Sequence, residues 1–279
     1  MKYYLAVLLG LAIAAAIGWY GLHVQPDGAQ DAKLTDTASA VKNFGNALDT
    51  VCTPNVVIQR EGAGPNGAIF TDAIQDPVAL VQETGYRVCR TLYHNASEVR
   101  AVKKITLILR DDPTVAANTT ADSNDTIIVM STAYLAKFKT AGGNVSREIE
   151  GILNHEMTHV YQNDDKAPGE GMYARLSNVT EGIADFVRIR NGFTPQGSEP
   201  SKSGTWDDEG YWKPAWFLLY IDNKYPGFIY RLNQSMIAGD GKSWTPQSFQ
   251  DITGKTVEQL WDEYVASPNC TYSDKSACS

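Results

Sequence analysis

An α+β fold, with a small mixed sheet and a mostly helical C-terminal lobe, is predicted by three features of this sequence. Two β-rich runs, "KKITLILR" and "TIIVMS", lie in the first half. They are followed by "SREIEGILNHEMTHVYQ", in which Ile149, Ile152, Leu153, Met157 and Val160 recur at helical spacing. The last third is rich in aromatics and reads as helix in "YWKPAWFLLYIDNKY", "PGFIYRLNQSMIAG" and "TVEQLWDEYVAS". At 279 residues the chain is long enough for one substantial domain, and no internal repeat or low-complexity tract interrupts it.

The elements follow in order. Lys2 precedes an apolar run from Tyr3 to about Tyr20, with Ala16 and Gly18 as small residues before a cut, so residues 1–24 read as a secretory signal peptide. The alternative is a retained N-terminal anchor, because the run nearly reaches bilayer length and ends in Trp19 and Tyr20. Residues 25–37 are a polar spacer, 38–268 the domain, and 269–279 a tail carrying two cysteines. Within the domain, Ala38 to Val51 has a helical rhythm, "VVIQR" reads as a strand and "GAGPNGA" as a loop. Asp76 is the expected N-cap, and Pro77 the first residue, of a helix through "VALVQETGYRVCRTLYH". "DDPTVAANTTADSND" reads as a turn-rich loop between the two strands, and "TAYLAKFKTAGG" as a short helix stopped by glycine. Ser146 is the expected cap of the next helix, whose positive end suits Glu148 and Glu150. A polar loop then leads to a helix over "EGIADFVRIR".

A net charge of −8 and a pI near 5.0 argue against a general nucleic-acid binder. Asn-x-Ser/Thr triplets begin at Asn95, Asn118, Asn124, Asn144, Asn178, Asn233 and Asn269, against roughly two expected by chance, which points to a glycosylating secretory route. The four cysteines fit an oxidising compartment, and the favoured pairings are Cys52–Cys89 and Cys270–Cys278. No C-x-x-C occurs, so a cysteine metal site is not expected.

Two of the four histidines fall in "HEMTH". Residues four apart share a helix face, so His155 and His159 can direct two imidazoles at one ion, expected to be a single catalytic Zn2+. Glu156 lies about 100° round the helix, placed to take a proton from the ion's water rather than to bind the ion. The bland alternative is a buried helix face with two incidental histidines. A catalytic zinc takes a third protein ligand and keeps one position open. Histidine cannot supply it, because His23 belongs with the signal and His94 lies on a distant helix as a surface residue. Glu181 is favoured, with Asp185 one turn later accepting the ring N–H of a ligand histidine; Asp165 and Asp185 are the rival ligands. Asp165 stands six residues after His159, where one protease class places its third ligand. That class turns its chain at a glycine three residues after the second histidine, and Gln162 occupies that place here.

The ordered segments "NHEMTHVYQ", "EGIADFVRIRNGF", "WDDEGYWKPAWFLLYID" and "VEQLWDEYV" resemble the plant basic secretory protein family of zinc metallopeptidases, as does "DTIIVMSTAYL" before them. The resemblance covers about Leu107 to Ala266. It implies a zincin-like metallopeptidase fold with an active-site helix carrying H-E-x-x-H, a secreted peptidase, and a glutamate ligand at Glu181. Two departures stand out: this chain is acidic, and its linker "NDDKAPGEGMYARLSNVT" is longer than the plant pattern.

On that basis the expected function is a secreted zinc peptidase with Glu156 as general base and a peptide or protein as substrate, acting as a monomer without nucleic-acid partners. Tyr211 is the candidate oxyanion donor and Arg188 the second choice; the alternatives are a packing aromatic and an ion-pair residue. "TIIVMS" either offers its backbone edge to an extended peptide or is an interior strand. Trp206, Trp212, Trp216, Phe217 and Tyr220 are expected to pack a core rather than to stack a sugar. Asn178 is expected to stay unmodified or to point away from the cleft, since a glycan beside Glu181 would crowd the site. The competing class is a secreted binding or defence protein that keeps zinc without turnover; a zinc hydrolase of non-peptide substrates is the third.

Overall fold

Four strands form one sheet in the order β1-β2-β4-β3, with β1 at Asn55–Arg60, β2 at Lys104–Arg110, β3 at Ala117–Ala121 and β4 at Asp125–Ser131. The computed structural model describes residues 47–62, 64–121, 125–195, 198 and 201–268. The expected signal, the spacer and the Cys270–Cys278 pairing lie outside the described residues, as do Asn124 and Asn269. Of the helix expected over Ala38 to Val51, only α1 (Ala47–Val51) falls within them. The chain divides into two units, one of residues up to Tyr86 with Ala101–Glu156, the other of Arg87–Arg100 with residues from Met157 onward.

In the first unit β1, β2 and β4 are parallel, and β3 runs antiparallel to β4 along the outer edge. The centre of β2 is buried throughout, with Ile105, Leu107 and Leu109 fully enclosed, as a strand covered on both faces requires. The stretch read as a turn-rich loop thus contains a strand. Its core "ANTTA" is polar because an edge strand has less to bury than an interior one, so its alternation is weak. Conversely β4, weighed as a cleft edge, is interior, paired on both sides.

Helices α2 (Ile69–Ala73) and α3 (Pro77–Leu92) follow β1. The Ala79 N–H donates to Asp76 Oδ1 at 3.0 Å, so Asp76 caps α3 as expected. After β4, Ser131 caps α4 (Thr132–Thr140) by accepting from the Tyr134 N–H, and Gly142, at φ 86°, follows its end. Helix α5 spans Val145–Tyr161. Its cap is Asn144 rather than Ser146: Asn144 Oδ1 accepts from the Arg147 N–H at 3.1 Å. Asparagine and serine are near-equal caps, so the sequence could not separate two candidates two residues apart.

In the second unit α6 (Tyr173–Arg190) begins well before "EGIADF", and the polar "YARLSNVT" is its first half. Helices α7 (Trp212–Lys224), α8 (Phe228–Ser235), α9 (Gln247–Thr253) and α10 (Val257–Ala266) follow, α9 having gone unread in the sequence. Their core is aromatic. Phe217 lies edge-on to Trp261 at 5.2 Å between centroids and parallel to Phe249 at 6.3 Å, while Phe228 and Trp206 pack on Phe249 at 5.4 and 5.8 Å. Trp206, Trp216, Phe217 and Tyr220 are all buried, which matches the packing role; Trp212 is half-buried. Cys52 and Cys89 are joined in a disulfide. Among the described residues no helix is long and apolar enough to cross a membrane.

Candidate metal centre

Helix α5 turns Ile149, Ile152, Leu153, Met157 and Val160 into the interior, each no more than 3% exposed. With that apolar face committed, its polar residues His155 and Glu156 are buried as well and His159 is half-buried. Burying polar groups without compensation costs about 2–7 kcal/mol each, so their retention on this face calls for a reason. Glu181 supplies part of it from α6, where it too is buried.

One ligand atom from each of His155, His159 and Glu181 comes within 4.8 Å of the others. His159 Nε2 and Glu181 Oε2 are 3.4 Å apart. Two ligands each about 2.0–2.1 Å from a tetrahedral ion stand about 3.3 Å from one another, so this spacing suits a shared cation. Two neutral imidazoles and a carboxylate also form a donor set suited to a divalent transition metal. The three residues fit a bound metal ion.

Of the acidic candidates, Glu181 is the one whose carboxylate enters this group. Asp165 is half exposed and lies 3.7 Å from an Arg100 guanidinium nitrogen, whose other terminal nitrogen is 3.1 Å from Asp164. Asp185 is buried one turn after Glu181 on α6 and is not in the group. Glycine proves unnecessary after His159. The helix runs on, the Gln162 N–H donating to the Thr158 carbonyl at 2.7 Å, and the chain leaves it at Asn163. There Asn233 Oδ1 accepts the Asn163 N–H at 2.8 Å, and the Asn233 amide donates to the Leu92 carbonyl at 3.3 Å. The Tyr93 hydroxyl donates to the Tyr161 carbonyl at the helix end. Burial pushes both the Tyr93 and Tyr161 phenols above their ordinary range, which keeps them neutral.

Glu156 is held from β3. The Thr119 hydroxyl stands 2.7 Å from Glu156 Oε2, to which it donates, and 3.3 Å from the Glu156 carbonyl. Thr119 carries no sequence signal of this role, because its strand has the composition of a loop. The Gln162 side-chain nitrogen lies 2.8 Å from His159 Nδ1, a contact that the i, i+3 spacing made legible.

Tyr211 precedes α7 with φ 65° and ψ −104°, the one positive φ outside glycine among the described residues. Its segment is tied to α6 beside Glu181. The Asn178 side-chain amide donates to the Asp207 carbonyl at 2.7 Å, a Cβ on Gly210 would lie 3.5 Å from Asn178 Oδ1, and one on Gly182 would lie 2.7 Å from Pro214 Cβ. Arg188 donates from Nε to the Phe193 carbonyl at 3.1 Å beyond the end of α6. His94 is exposed and stacks on Tyr230 at 3.7 Å.

A family model described as BSP, peptidase of plants and bacteria, matches residues 56–264. No curated protein and no solved structure matches the chain.

Proposed function

Because the chain belongs to the BSP family, the peptidases of plants and bacteria, we propose that it is a secreted zinc-dependent peptidase whose metal ligands are His155, His159 and Glu181. The observation that carries this reading is the convergence of those three side chains beside Glu156, which is buried on the helix that carries both histidines. When bound, zinc supplies Lewis acidity, acidifying a water and polarising the scissile carbonyl.

Glu156 takes the proton of the attacking water and returns it to the leaving amine nitrogen. Thr119 engages one of its oxygens, Oε2, which restrains the carboxylate and leaves Oε1 to carry the proton. Tyr211 is the hydroxyl donor to the developing oxyanion. Backbone strain of the kind it carries is concentrated at working sites, and its neighbours on both sides are braced against the turn of α6 that bears Glu181. Passage through an oxidising compartment accords with the Cys52–Cys89 bridge and with the apolar N-terminal run.

The test is cleavage of a quenched peptide library with and without a chelator, alongside Glu156→Gln. Chelation should abolish cleavage and added zinc restore it. Glu156→Gln should retain zinc while kcat falls about 10²- to 10⁴-fold. Zinc retained with no cleavage under any condition would instead support a binding protein.

A further inference from the structure

Gln162 is fully buried beside the centre and has no task in the scheme above. Its amide nitrogen meets His159 Nδ1 at 2.8 Å, while its amide oxygen is enclosed without a hydrogen-bond partner. The other ring nitrogen, Nε2, faces Glu181 at 3.4 Å.

A neutral imidazole carries one proton, and the nitrogen that binds an ion must be bare. If Nε2 is the ligand atom, the proton sits on Nδ1, whose partner must then accept rather than donate. A side-chain amide can do either. With its nitrogen toward the ring, Gln162 donates to Nδ1 and selects the tautomer whose Nε2–H faces Glu181. Turned end for end, it accepts from Nδ1–H, bares Nε2, and gives its own enclosed oxygen a partner. The exchange leaves the NH2 in the enclosed place the oxygen vacates, so the position of the ring proton, not the far end of the amide, decides which way Gln162 faces.

We infer that Gln162 is a positioning residue for His159, its amide reversing as metal binds and thereby setting which ring nitrogen is free to ligate. The inference rests on the metal reading above.

The experiment compares wild type, Gln162→Met and Gln162→Glu. Zinc affinity is read by competition with a chromophoric chelator, folding by circular dichroism, and the His159 tautomer by two-bond ¹H–¹⁵N spectra with and without zinc. Gln162→Met, similar in shape but unable to accept as an amide does, should bind zinc about 10- to 100-fold more weakly. Gln162→Glu, which only accepts, should bind at least as tightly as wild type. The wild-type ring should pass from Nε2–H to Nδ1–H on loading. A well-folded Gln162→Met protein binding zinc within about twofold of wild type would overturn the assignment, as would a ring that keeps one tautomer throughout. Should Gln162→Met not fold, Gln162→Glu and the wild-type spectra decide the question. Failure of wild type to take up zinc would instead sink the metal reading, and the metal-free spectrum would still report which way the amide faces.

Discussion

Tyr211 holds a backbone conformation that costs of order 1–3 kcal/mol for a residue with a side chain, and glycine, which would relieve it, stands one place earlier at Gly210. In the proposed mechanism that strain serves the Tyr211 hydroxyl. Tyr211→Phe retains the ring and the strain and removes only the donor, so kcat should fall about 10²- to 10³-fold with zinc content unchanged. An unaltered kcat would return Tyr211 to the packing role. The same scale shows why Asp165 and Asp185 stay outside the group that Glu181 forms with the two histidines. Spacing along the chain admitted Asp165, but Arg100, more than sixty residues earlier in sequence, holds a terminal nitrogen 3.7 Å from it.

At the scale of elements, α6 and α7 pack closely because Gly182 faces Pro214, and Gly182 adjoins Glu181. In Gly182→Ala the new methyl would lie 2.7 Å from a ring carbon that cannot swing aside. Alanine's better helix propensity offers about 1 kcal/mol, while overpacking costs about 1–3 kcal/mol. The expected result is a net loss of up to about 2 kcal/mol in urea unfolding, with zinc binding weakened because Glu181 shifts with its helix. A variant as stable as wild type, with unchanged zinc affinity, would show that this contact does not hold the ligand. Elements with strong apolar periodicity, such as α3, β2 and α5, were legible beforehand. Strand β3 was not, because an edge strand's pairing comes from β4 rather than from its own side chains. Thr119, and with it the restraint on Glu156, was lost along with the strand.

For the whole molecule, the Cys52–Cys89 bridge limits the freedom of the unfolded chain. Replacing both cysteines by serine should lower unfolding stability by about 2–4 kcal/mol, measured with denaturant on zinc-loaded and metal-free protein alike. Equal stability with and without the bridge would assign it to secretion chemistry rather than to folding. The acidic balance of −8 bears on solubility and on surface partners, and leaves the centre's donor set untouched.

The amino-acid order alone determined that His155 and His159 share a helix face with Glu156 beside them, because helical geometry maps a four-residue spacing onto one direction whatever surrounds it. It also marked β2 and β4 as strands and the C-terminal aromatics as core, since continuous apolar runs must leave water. Only the tertiary structure placed Glu181, rather than Asp185 or Asp165, within 4.8 Å of the two histidines, brought Thr119 onto Glu156, and made β3 rather than β4 the edge. These depend on contacts between residues remote in sequence, and local propensity and spacing carry no record of which distant partner arrives.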